Sequence, residues 1–236
     1  MQYIRRSDER GSANFGWLSS KHSFSFGNYY DPAHMGISAL RVINDDTVAP
    51  AAGFDTHGHK NMEIISYVLE GVIEHKDSKG NHYQISAGEV QRMSAGRGVT
   101  HSEFNASQDK PLKFLQIWIE PNEVDIEPEY EQRAIEQTGP LTTLVSPHGE
   151  GEALHLHQNA KLHRLRLSAA ETHTLTSSGK NAYLHIISGG LELKGNAATE
   201  DLLSEGDAIG GQMKHGETLE VAASPAGVEA LWFELP

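Results

Sequence analysis

Two short pairs of side chains in this sequence have the types and spacing to hold a metal ion. The first is His57-x-His59, within Gly53-Phe54-Asp55-Thr56-His57-Gly58-His59. The second is His101-x-Glu103, within Val99-Thr100-His101-Ser102-Glu103. On an extended strand, residues i and i+2 point to the same face. Each pair therefore presents two donors side by side. Two such strands brought together would offer three imidazole nitrogens and one carboxylate. That set suits a divalent first-row metal with positions left open for water, substrate or O2. Spacing alone does not choose among Fe(II), Zn, Mn, Co and Ni. Glu63, four residues after His59, competes with Glu103 for the carboxylate position.

The chain carries 14 histidines, so the pairs need a control. His155-Leu156-His157 has the same spacing but lacks a following glycine-rich turn and a His-x-Glu partner. It reads as structural or exposed. His75, like His22, His163 and the others, has no ligand spacing at all.

The elements that must position these residues read as strands. Short runs rich in Val, Ile, Leu and Tyr, among them 36–43, 62–69, 90–93, 113–120, 161–167 and 229–235, are separated by glycine-rich turns. Helical periodicity is confined to 129–135, which is expected to be a short helix. The predicted fold is all-β.

The sequence also matches itself at an offset of 118 residues, half of its 236. Val68-Leu69-Glu70-Gly71-Val72 then faces Ile186-Ile187-Ser188-Gly189-Gly190, and Ala87-Gly88-Glu89 faces Glu205-Gly206-Asp207. Two copies of one barrel explain this better than one large barrel. The joint is expected in Gln137–Pro140, where Thr-Gly-Pro breaks the pattern. At the same offset His57 and His59 face Leu175 and Ser177, while His101 and Glu103 face Leu219 and Val221. The second copy should therefore be metal-free.

Composition narrows the function. Nineteen basic against 32 acidic residues give a net charge of −13, which disfavours direct nucleic-acid binding and an anionic membrane surface. Cysteine is absent, which removes disulfides, thiolate metal sites and cysteine nucleophiles. The charged start, Met1 to Glu9, lacks the apolar core of a signal peptide, and no apolar run reaches the ~20 residues of a membrane helix. A cytoplasmic location is expected.

The motifs resemble a known family. Gly53-x3-His57-x-His59-x3-Glu63-x7-Gly71 and Gly88-x5-Ser94-x-Gly96-x4-His101-x3-Asn105 resemble the two cupin motifs. More narrowly, Trp17-Leu18-Ser19-Ser20-Lys21-His22-Ser23-Phe24-Ser25-Phe26, His57–Glu63, Met93–Glu103 and Gln116-Ile117-Trp118 resemble the pirin family, especially its short bacterial members with quercetinase activity. The resemblance implies a bicupin, two tandem double-stranded β-helix (jelly-roll) barrels packed together. The expected domains are a metal-binding barrel over 1–136 and a metal-free barrel over 141–236.

It also implies that His57, His59, His101 and Glu103 ligate the metal, with Glu103 taking a substrate proton. The metal is expected to be Fe(II), with Ni, Zn, Co or Mn as alternatives. The implied activity is quercetin 2,3-dioxygenase, acting on a small planar aromatic substrate and O2 with release of carbon monoxide. The family also includes transcriptional co-regulators, so a non-enzymatic metal-loaded protein acting through a protein partner is the alternative. A different cupin reaction, such as a zinc isomerase, is a third. Two barrels packed on each other are compatible with a monomer.

Overall fold

A computed structural model describes residues 3–194 and 202–236. Met1 and Gln2, the start of the segment read for a leader, lie outside the described residues. The fold is built from strands, with one 3-10 turn at Ser7–Glu9 and no α-helix among the described residues. None of its helices is long and apolar enough to cross a membrane.

In chain order the strands begin with β1 (Tyr3–Arg5), β2 (Gly11–Asn14), β3 (Leu18–His22), β4 (Leu40–Val48), β5 (Gly53–His59), β6 (Glu63–Glu70) and β7 (Val72–Asp77). There follow β8 (His82–Ser86), β9 (Glu89–Ser94), β10 (Val99–Asn105), β11 (Leu112–Ile119), β12 (Glu129–Ala134), β13 (Leu141–Ser146) and β14 (Leu154–His155). The last six are β15 (Lys161–Leu167), β16 (Thr172–Thr176), β17 (Asn181–Lys194), β18 (Leu203–Ser204), β19 (Ala208–Gln212) and β20 (Thr218–Leu235).

The chain divides into two compact units. The first comprises Gly11–Ile135 and Pro147–Gln158. The second comprises the described residues of Met1–Arg10, Glu136–Ser146 and Asn159–Pro236. Against the contiguous division expected from sequence, two short segments thus belong to the other unit. Pairing explains the first of them, because β1 adds to the edge of β19. In the other, Leu154 and Leu156 are fully buried.

The first unit has two antiparallel sheets, ordered β12-β9-β6-β11-β4-β3-β2 and β5-β10-β7-β8. Its core lies between them: Leu18, Val68, Leu112 and Phe114 from the larger sheet meet Ile73 and Ile85 from the smaller. Alternation sets the faces. Leu18, Ser20 and His22 of β3 turn inward while Ser19 and Lys21 face out.

The second unit repeats this order as β1-β19-β17-β20-β15-β13, with β16 on β20 and β18 on β17. Each strand of β9-β6-β11-β4 thus has a counterpart in β19-β17-β20-β15 near the half-length offset, as the internal repeat predicts. Gly71 and Gly189 are matched by it, and both have positive φ, 82° and 75°. A side chain at either would press on backbone of the adjoining segment, so both backbone angle and space require glycine.

The helix expected at 129–135 is absent. Glu129–Ala134 is instead strand β12, paired with β9 from Glu129↔Ser94 to Ala134↔Glu89. Ladder bonds to a waiting edge outweigh the weak local preference of a short polar stretch.

Candidate metal centre

Strand β10 lies between β5 and β7. On the β5 side His101 sits directly opposite His57, whereas Glu103 faces Phe54. The register shift between those positions is a bulge, which re-aims the side chains around it. His57, His59 and His101 converge, with donor nitrogens within 4.8 Å of one another. His101 Nε2 is 3.1 Å from His57 Nε2 and 3.0 Å from His59 Nε2.

That geometry is awkward for three bare imidazoles. A neutral ring nitrogen carries either one proton or one lone pair, so His101 Nε2 cannot satisfy both neighbours. His57 Nδ1 is 2.7 Å from the Asp55 carbonyl, which only accepts, so this nitrogen holds the ring proton. Its Nε2 then turns a lone pair to the centre. Burial, then the rings of His101 and His57, lowers His59 to about 4. Burial, then the rings of His57 and His75, lowers His101 to about 3. Both are neutral at physiological pH, the form that ligates. His101 Nδ1 is buried without a hydrogen bond. Converging neutral nitrogens fit a divalent cation, which can accept all the lone pairs at once.

Glu103 is buried beside them, its carboxylate within 4.8 Å of donor nitrogens of His101 and His75. Gln116 Nε2 donates to its Oε2 at 2.8 Å, and Ser66 Oγ lies 3.2 Å from its Oε1. Glu63 is placed elsewhere. Its Oε2 accepts from Ser94 Oγ and from the His157 backbone N–H. Of the two carboxylates that spacing left open, Glu103 is the one beside His101.

His75, which has no ligand spacing, also meets this cluster, directly opposite Glu103 on β7. Gln91 Nε2 donates to its Nδ1 at 3.2 Å, and its Nε2 reaches Asp77 Oδ2 at 3.1 Å. Both ring nitrogens are engaged, so His75 supports the cluster and has no lone pair to give.

The centre opens on a cavity of about 840 Å³ whose lining includes His57, His59 and Glu103. Trp17, Phe54, Phe26 and Trp118 form aromatic wall. Trp17 meets Phe54 edge-on at 5.1 Å, and Trp118 meets His59 at 5.0 Å. Phe54 therefore lines the cavity, whereas Met93 lies in a core cluster with Ile64 and Phe104 lines a separate small hollow. Sequence reading missed two buried polar residues of the wall, Asn44 and Asp46. The Oδ1 atom of each has no hydrogen-bond partner. Their signal was present: two polar residues at i and i+2 in a strand whose other inward positions are apolar.

Comparison with known proteins places the whole chain. The family described as pirin matches residues 4–119, and a quercetinase C-terminal cupin domain matches residues 143–235. The chain belongs to the pirin family. A curated Escherichia coli O157:H7 protein named quercetin 2,3-dioxygenase is 43% identical to this pirin, covering 100% of this chain and 99% of its own. A putative quercetin 2,3-dioxygenase of Mycobacterium tuberculosis is 40% identical over 87% of this chain and 84% of its own. Among solved structures, Escherichia coli YhhW superposes with a TM-score of 0.93 at 41% identity, covering 99% and 97% of the two chains. The same bacterial pirin in complex with nickel(II) gives 0.92 at 42%, covering 99% and 98%. The pirin is a bicupin, and its family implies a divalent metal.

Proposed function

We propose that this pirin is a metal-dependent dioxygenase that opens the heterocyclic ring of flavonols such as quercetin with O2 and releases carbon monoxide. The observation that carries this reading is a trio of converging imidazoles, with Glu103 beside it, at an aromatic cavity. The relatives named quercetin 2,3-dioxygenase support the substrate. A cavity of about 840 Å³ is of the size that encloses a molecule of that class.

His57, His59, His101 and Glu103 would hold one divalent transition metal, Fe(II) first and Ni, Zn, Co or Mn as alternatives. When bound, such an ion supplies Lewis acidity toward a flavonol oxygen. The chain's own residues do the rest. Trp17, Phe54 and Trp118 offer flat apolar surface to planar rings and exclude water from them. A Glu103 carboxylate oxygen accepts the proton of the 3-hydroxyl, and Gln116 and Ser66 hold that carboxylate in one orientation. Asn44 and Asp46 add polar side chains to the otherwise aromatic wall that a flavonol would meet.

The test is O2 consumption with quercetin, using protein stripped by chelator and reloaded separately with Fe(II), Ni(II), Co(II), Mn(II) or Zn(II). Metal-dependent uptake that vanishes in His59→Ala is expected. No uptake with any metal, in protein shown to bind metal, rejects the proposal.

A further inference from the structure

We propose that Glu129, His155 and His157 form a second, surface site for a divalent transition metal, separate from the histidine trio. Their donor atoms all lie within 4.8 Å of one another. The local structure explains the convergence. Leu154 and Leu156 are buried, so strand alternation turns His155 and His157 to the opposite, partly exposed side. Their rings meet at 4.4 Å. Glu129 opens β12 and is fixed by its pairing with Ser94. His157 Nε2 lies 3.1 Å from Glu129 Oε2.

Charge points the same way. The buried Arg92 guanidinium contacts Glu129 Oε2 at 3.4 Å and Glu131 Oε1 at 2.6 Å. Through Ser94 Oγ, 2.8 Å from Arg92 Nη1, it also connects to Glu63. One cation thus serves both Glu129 and Glu131, and a divalent ion beside Glu129 would add positive charge where it is short. Glu129 Oε2 is the oxygen that meets His157 Nε2, and Arg92 contacts the same atom at the longer 3.4 Å. Two imidazoles and one carboxylate, with water completing the shell, suit Zn(II), Ni(II), Co(II) or Cu(II) better than Mg(II) or Ca(II). Bound there, the ion would clip the 154–157 segment to the start of β12, joining positions distant in sequence.

The test is metal stoichiometry by equilibrium dialysis of chelator-stripped full-length protein at about 10 μM free Zn(II), which fills a site of micromolar Kd. Wild-type protein should bind two equivalents. His157→Ala and Glu129→Gln should each bind one, and His59→Ala should retain the second-site equivalent. Zn(II) should raise the Tm of His59→Ala but not that of the double variant His59→Ala/His157→Ala. Circular dichroism of each variant checks folding, and Glu129→Gln, at an exposed position, gives a conservative second variant. A single equivalent in wild type that is lost in His59→Ala and kept in His157→Ala overturns the proposal. So does a second equivalent that survives both His157→Ala and Glu129→Gln. Neither result depends on quercetin turnover, so this site and the dioxygenase reading fail separately.

Discussion

His101 lies directly across the antiparallel β5–β10 ladder from His57, with their Nε2 atoms 3.1 Å apart. At the half-length offset, the β16–β20 ladder places Leu175 directly opposite Leu219. The next pair behaves alike: Glu103 faces His75 on β7, and Val221 faces Leu193 on β17. All four of the second unit's residues belong to its buried core. One backbone frame therefore carries two kinds of interior. One presents donor atoms beside a cavity, and the other presents hydrocarbon closed on itself.

The first prediction separates these roles. His101→Ala should weaken metal binding by more than about 100-fold, beyond the usual loss from removing a residue that merely supports a ligand. Quercetin turnover should fall with it. Leu175→Ala should leave metal content unchanged and cost ~2–5 kcal/mol of stability, as expected for a fully buried leucine. Metal analysis and urea unfolding read the two effects. Full metal content in His101→Ala would remove His101 from the ligand set.

Gln116 makes no claim as a ligand, yet its amide fixes Glu103 at 2.8 Å. Gln116→Leu removes that donor in a site of similar volume. Metal should stay bound while kcat for quercetin falls about 10–100-fold, with KM changed little. A loss confined to KM would mean that Gln116 contacts substrate and does not position Glu103.

Much of this centre was legible because period-2 alternation is local: His57-x-His59 and His101-x-Glu103 declare a shared face without any knowledge of the fold. The repeat was legible for a related reason, since matched strands keep matched glycine turns, as at Gly71 and Gly189. Residues recruited across strands were not. His75 reaches Glu103 only through the β7–β10 register, and nothing near it in sequence shows that. His155 and His157 looked unpartnered because their carboxylate, Glu129, is distant in the chain. The stretch 129–135 misled for the same reason, its strand being specified by β9.

Asp46 carries a pH dependence. Burial, only partly offset by a hydrogen bond from Ser20, raises its pKa to about 7 from an ordinary 3.8. In the unfolded chain the group ionises near 3.8, while in the folded chain it keeps its proton until about 7. Stability contributed by the neutral form is therefore complete below 3.8 and is lost as pH rises to 7, on the order of 4 kcal/mol in all. Asp46→Asn should remove this slope, so the variant gains on wild type between pH 4 and 8. Urea unfolding across that range reads it. Parallel curves for the two proteins would show that Asp46 is ionised in the folded state throughout.

Glu234 should show the opposite sign. Burial alone would raise its pKa, but donors from His163 Nε2 at 2.8 Å and from the Ser178 hydroxyl and backbone N–H hold it down to about 2. The folded state therefore keeps the carboxylate ionised where the unfolded chain, near 4.5, has begun to protonate. The resulting stability is complete above about 4.5 and disappears as pH falls through 2, on the order of 3 kcal/mol. Glu234→Gln should lose that amount at neutral pH and converge with wild type near pH 2. The residue joins β20 to β15 and to the 177–179 turn, so the loss should appear in unfolding of the second unit while metal content stays unchanged. Equal stability of the two proteins at pH 7 would mean that the three donors only repay the cost of burying the charge.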